Sequence, residues 1–127
     1  MPRRWPVPAT AAKQLSRMTP TLEPFHFTVR VAPGPVTLIT VCGELDIATA
    51  PAFEDALGEI DFACLTVVVL DLERLDFIDA AGLRAVLALH AACVHASVAL
   101  AVTPGPPSVQ RVFELTGTDQ LLPFSRR

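Results

Sequence analysis

The residues of this chain that could take part in chemistry are its carboxylates, three histidines and three cysteines. His90 and His95 lie on one helical pattern but about 140° apart around its axis, so they cannot hold one metal ion between them. His26 is remote from both in sequence. Cys42, Cys64 and Cys93 are odd in number, widely spaced and without a C-x-x-C pair, which suits neither a disulfide framework nor a zinc site. They read as three small buried apolar residues in a reducing compartment, with redox or small-molecule sensing as the sharper alternative. There is no G-x-G-x-x-G, Walker loop, H-E-x-x-H or G-x-S-x-G, and no nucleophile–base pair assembles. The expectation is a protein that is not an enzyme, with no catalytic residue, no metal ligand and no cofactor.

What remains is an acidic set, Glu44, Asp46, Asp76 and Asp79, next to the short run Ala80-Ala81-Gly82 and Arg84. Asp79 stands directly before a helical pattern, where its carboxylate can accept the orphan N–H groups of the first turn. As an N-cap it contributes about 1 kcal/mol and needs no further role. Glu44, Asp46 and Asp76 have two readings, a solvated loop cluster or an acidic rim facing a partner. Paired carboxylates for acid–base work would need a cleft. The acids Asp46, Glu54, Asp55 and Glu59 read instead as a solvated face.

The elements that must position these residues follow from periodicity. Leu65–Asp71 is an apolar, β-branched run, the pattern of a strand buried on both faces of a partly parallel sheet. A short loop, Glu73 to Ile78, leads to Asp79 and a helix from Ala80 to about Val94. At 100° per residue, the inner stripe of that helix is Leu83, Val86, Leu87, His90 and Val94. Its other side, Arg84, Ala85, Ala88, Leu89, Ala92 and His95, is unusually apolar for a wet surface. High helix propensity and a protein-contact patch are both open as explanations. Ahead of this unit, Phe25–Val31 and Val36–Val41 alternate as strands joined by the turn Ala32-Pro33-Gly34-Pro35. A helix capped by Thr49 or Asp46 follows, with Pro51 in its first turn and Phe53, Ala56, Leu57 and Ile60 on its inner side. Ser97–Val102 is a strand, Pro107 or Ser108 opens a last helix that Thr116-Gly117 stops, and Leu121–Phe124 is extended. The expected order is β-β-α-β-α-β-α-β. It defines an α/β domain with a mixed four- to five-stranded sheet and helices mainly on one face.

The 127 residues suit one domain, and 51% are hydrophobic, enough for a real core. Charge is uneven: residues 1–18 hold four basic and no acidic side chains, while the remainder holds six basic and thirteen acidic. An acidic body argues against a nucleic-acid surface. Residues 1–20, with four prolines and no hydrophobic period, read as a flexible basic tail ahead of a domain over 21–127. Met18 is an alternative start, which would leave residues 1–17 untranslated. No secretory h-region and no run of 18 apolar residues is present, so the expectation is a cytoplasmic protein with no direct membrane insertion.

Three stretches taken together, Val41-Cys42-Gly43-Glu44-Leu45-Asp46, Val68-Val69-Leu70-Asp71-Leu72 and Phe77-Ile78-Asp79-Ala80-Ala81-Gly82-Leu83, resemble the STAS family, which includes bacterial anti-sigma-factor antagonists. The likeness covers about residues 23–124 and extends to Val109-Gln110-Arg111-Val112-Phe113-Glu114-Leu115-Thr116-Gly117. The resemblance implies a protein-binding regulator that docks on an anti-sigma factor of GHKL kinase type and so frees a sigma factor. By the same resemblance, Glu44, Asp46, Asp76, Asp79, Ala80, Ala81, Gly82 and Arg84 are the partner-binding residues. STAS domains also serve as cytoplasmic accessory subunits of lipid or anion transporters, the alternative reading.

The family's phosphorylated Ser or Thr directly follows the loop Asp, and here that position is Ala80, followed by Ala81. A phosphate beside Asp79 would add nearly two negative charges to a contact surface. At an effective dielectric of about 20, that repulsion reaches several kcal/mol. With alanines there, the expectation is a non-phosphorylatable antagonist, always competent to bind. Ser108, Thr116 and Thr118 could be phosphorylated instead of Ala80, as could any exposed loop hydroxyl.

Overall fold

The computed structural model describes residues 27–125. The basic N-terminal segment, His26 and the first residues of the expected opening strand lie outside them. Strand β1, Phe27–Ala32, turns through Pro33–Pro35 into β2, Val36–Leu45. Helix α1 is Ala50–Gly58, β3 is Val67–Ile78, α2 is Ala80–Ala96, β4 is Ala99–Thr103 and α3 is Pro107–Thr116. The four strands lie in chain order, β1 antiparallel to β2 and the others parallel. The expected closing strand contracts to one bridge, Val102 with Phe124. The result is a single α/β domain with a mixed sheet and its helices mostly on one face.

The core fills from one parity of the sheet. Thr37, Ile39, Val41 and Leu45 of β2 and Val68, Leu70 and Leu72 of β3 are buried, while Val36 and Leu38, of opposite parity, are exposed. Phe53 of α1 and Val86, Leu89 and Cys93 of α2 close over the inner face. At the far edge Phe113 of α3 meets Phe124 edge to face, ring centres 5.1 Å apart.

Two expectations about the central unit change. The stretch Leu72–Ile78 is strand, and β3 is 12 residues long. Its pairing with β2 shifts between Thr40 and Cys42 and again between Gly43 and Glu44, and each shift places one extra residue in β3. Such bulges break the two-residue period. The buried positions therefore run Leu70, Leu72, Leu75, Ile78, and the steps of three after Leu72 do not look like a strand in sequence. Gly43, with φ of 96°, supplies the backbone freedom at the second shift.

The second change is the buried face of α2. Gly82, Leu83, Ala85, Val86, Leu89 and Cys93 are its buried residues, and Val94 is 65% exposed. The inward face is thus rotated by roughly 80° from the stripe of large side chains, at 100° per residue. Small residues explain it. A Cβ on Gly82 would collide with the carbonyl oxygen of Leu45 and come within 2.9 Å of Ile78 Cγ1. The helix therefore seats its smallest residues where it approaches the sheet most closely. Ala85 and Leu89, expected outside, are inside.

Candidate functional site

Strand β3 delivers Asp79 to the start of α2, and the whole expected loop reduces to that one residue. Asp79 has extended backbone (φ −117°, ψ −169°), and its Oδ1 accepts the Gly82 N–H at 3.0 Å. The other oxygen, Oδ2, accepts the N–H of Ile47 at 3.2 Å, from the loop between β2 and α1. The Asp79 N–H in turn donates to the carbonyl of Leu45 at 3.2 Å. One carboxylate thus caps a helix and ties down a loop 32 residues away in sequence.

That loop is fixed from its own side. Asp46 Oδ1 accepts from the N–H groups of Ala48 (3.0 Å) and Thr49 (3.1 Å). The Thr49 hydroxyl donates to the carbonyl of Glu44 at 2.6 Å and accepts from the Asp46 N–H at 2.9 Å. Thr49 is the N-cap residue of α1 by position, but its hydroxyl is engaged backward, and Pro51 occupies the first turn. Asp46 is half-buried within this knot, apart from the exposed acids Glu54, Asp55 and Glu59 of α1.

The expected site residues separate into groups. Asp46, Asp79, Ala80, Ala81 and Gly82 come together at this tip, with Ala80 exposed and Gly82 buried under the Leu45 carbonyl. Glu44 is exposed and pairs in register with Phe77, while Asp76 is the extra residue of the second bulge and points into solvent. Arg84 is exposed one turn into α2. Two residues that sequence reasoning passed over stand among them. Ile47 is 76% exposed and Phe77 47% exposed, flanking the Asp79 cap. The signal was an apolar residue inside a stretch read as loop, which carries weight only once β3 is known to continue through it.

The cysteines do not behave as three buried apolar residues. All are free; Cys93 is buried, Cys42 half-buried and Cys64 exposed. Burial pushes the Cys93 thiol above its ordinary value of 9.0. Among the described residues no group of three or more His, Cys, Asp or Glu side chains could hold a metal ion. Nor is any helix there long and apolar enough to cross a membrane.

The chain belongs to the STAS domain family, whose model matches residues 26–127, and the antagonist domains of that family are non-catalytic regulatory modules. Within the family it is anti-sigma-factor-antagonist-like. It is 33% identical over 98 residues to the anti-sigma-F factor antagonist RsfB of Mycobacterium tuberculosis, covering 76% of this chain and 80% of that protein. An anti-sigma factor antagonist from Mycobacterium paratuberculosis superposes with a TM-score of 0.70 at 28% identity, over 82% of this chain and 89% of that one. The Bacillus antagonist SpoIIAA, unphosphorylated, shares the fold at a TM-score of 0.65 and 20% identity, over 80% and 90% of the two chains, and has also been solved phosphorylated.

The expectation of a non-phosphorylatable protein does not stand. Ala80 and Ala81 lack hydroxyls, but the domain of this antagonist-like chain retains Thr37, Thr49 and Thr118. Thr49 belongs to the tip itself, its hydroxyl 3.2 Å from Asp46 Oδ1. Thr118 pairs with the exposed Thr116 at 2.9 Å between hydroxyl oxygens. The loss of a hydroxyl at one helix start therefore does not make the protein non-phosphorylatable, because threonine hydroxyls remain elsewhere in the same fold.

Proposed function

We propose that this protein is an anti-sigma-factor antagonist: it binds an anti-sigma factor of the GHKL kinase type in the cytoplasm and thereby releases a sigma factor. The docking surface is the tip where β3 passes into α2, formed by Asp79, Ala80, Ala81, Gly82 and Arg84, with Glu44, Asp46 and Asp76 as its acidic rim. The observation that carries this reading is the exposure of Ile47 and Phe77 on either side of the Asp79 cap. Apolar anchors held on a rigid frame and bordered by charges are the composition of a protein-binding hot spot. The likeness to proteins named as anti-sigma factor antagonists supports the choice of partner.

The test is calorimetric titration of the full chain into candidate anti-sigma kinases. Phe77→Ala and Ile47→Ala should each weaken binding by about 1–3 kcal/mol, tenfold or more. Both side chains are exposed, so the melting temperature should stay within the range of ordinary surface substitutions. Unchanged affinity in both variants would reject the tip as the docking surface.

A further inference from the structure

At the other end of the molecule a cleft of about 720 Å³ opens between the β1–β2 turn, the last turn of α1 and the start of β3. It is separated from Asp79 by the length of the 12-residue β3, about 36 Å at roughly 3.3 Å per step, and it has no part in the docking surface. Its walls are apolar: Val31, Pro35, Ala56, Ile60 and Leu65. That volume lies in the range of small-molecule sites, which join apolar walls to a few polar groups that orient the ligand.

The polar groups here are of one sign. Glu59 and Asp61 both line the cleft and are exposed, and among the described residues no basic side chain lines it. Glu59 is the C-cap of α1, so the negative end of the helix dipole points to the same place. Asp61 is held in position: its Oδ1 accepts the Ala63 N–H at 3.1 Å, and the Cys64 thiol lies 3.7 Å from its Oδ2. Thr37, the one buried polar side chain in the lining, donates its hydroxyl proton to the Gly34 carbonyl at 2.8 Å and so has no proton left for a ligand. Two carboxylates on an apolar wall are too few to replace the oxygen shell of a divalent ion. They suit a monocation with a hydrocarbon body.

We infer that this cleft is a binding site for a small amphipathic cation of the alkylamine class, its ammonium group between Glu59 and Asp61 and its chain against Ile60, Leu65 and Val31. The probe is n-octylammonium, titrated into the full ¹⁵N-labelled chain, with n-octanol and octanoate as controls. Amide shifts should saturate and fall on Gly34 and residues 56–65, and octanol and octanoate should bind much more weakly or not at all. Glu59→Gln with Asp61→Asn should weaken octylammonium binding by about tenfold, two screened charge pairs being lost. Ala56→Leu, which fills the wall, should abolish it. Both carboxylates are exposed, so the double variant keeps the test valid if Ala56→Leu fails to fold. Equal binding of octanol or octanoate, shifts centred on residues 77–82, or no saturable shift would each overturn the inference. Loss of anti-sigma binding in Phe77→Ala leaves this result untouched, so the two proposals fail separately.

Discussion

Asp79 satisfies a helix N-terminus with one oxygen and a neighbouring loop with the other. Replacing it with alanine removes both bonds at once. Asp79→Ala should cost about 1–2 kcal/mol and lower the melting temperature by about 4–8 °C for each kcal/mol lost in a domain of this size. Asp79→Asn keeps one acceptor and sets an amide NH2 against the other N–H donor, so its stability should fall between those of the parent and Asp79→Ala, which calorimetry would resolve. An Asp79→Ala variant as stable as the parent would show that the cap contributes nothing. Cys93 gives a second residue-scale prediction. Its thiol is held above 9.0 by burial, so folding favours the neutral form. That stabilisation is complete below the unfolded value and is lost as pH climbs through the folded one. Stability should therefore decline above about pH 9, and more steeply than in Cys93→Ala. Parallel pH profiles for the two proteins would refute the assignment.

The seat of α2 on the sheet depends on the absence of a side chain. Gly82→Ala puts a methyl against the backbone oxygen of Leu45, which has no rotamer to yield. Overpacking of this kind costs about 1–3 kcal/mol, and because Asp79 caps the same turn, the damage should reach the tip. Denaturant unfolding of Gly82→Ala measures the first effect, and titration with the proposed anti-sigma partner the second. Full retention of both would mean that α2 shifts freely, contrary to its close packing. The same glycine shows why sequence periodicity placed the helix correctly and its inner face wrongly. Periodicity weighs large apolar side chains, whereas close approach selects small ones. Leu87 and Val94 therefore drew the stripe away from Gly82 and Ala85. Helix ends were more legible, because caps are local chemistry: Asp79 starts α2 and Gly117, at φ 77°, closes α3. The extension of β3 was illegible for the opposite reason. Its pairing with β2 is distant in sequence, and the two extra residues erase the alternation that would have announced it.

For the molecule as a whole, strand order ranks local stability. β2 and β3 are interior strands with neighbours on both sides, whereas β1 and β4 lie at the edges. Amide hydrogen exchange should be slowest over Val68–Leu72, where side chains of the inner parity are fully buried. It should be fastest among the described strands in β1, whose inward residues remain half-exposed. Protection of β1 equal to that of β3 would contradict this ranking. The two ends of the sheet also differ in chemistry. The tip at Asp79 combines charge with exposed Ile47 and Phe77, while the opposite end encloses an apolar cleft under two acids. One domain thus presents two surfaces suited to different kinds of partner, with α1 running between the Asp46–Thr49 knot and the cleft wall at Ala56.

The supernumerary residues of β3 carry a lesson for anyone comparing this chain with others. Orientation beyond Asp71 is set by where two insertions fall and not by counting along the pleat. A relative lacking one of them would turn the residue aligned with Phe77 toward the interior even where every letter around it agreed. Comparisons of docking surfaces within such a group should therefore be anchored on the capping aspartate and counted backward, with a gap permitted on each side of Leu75.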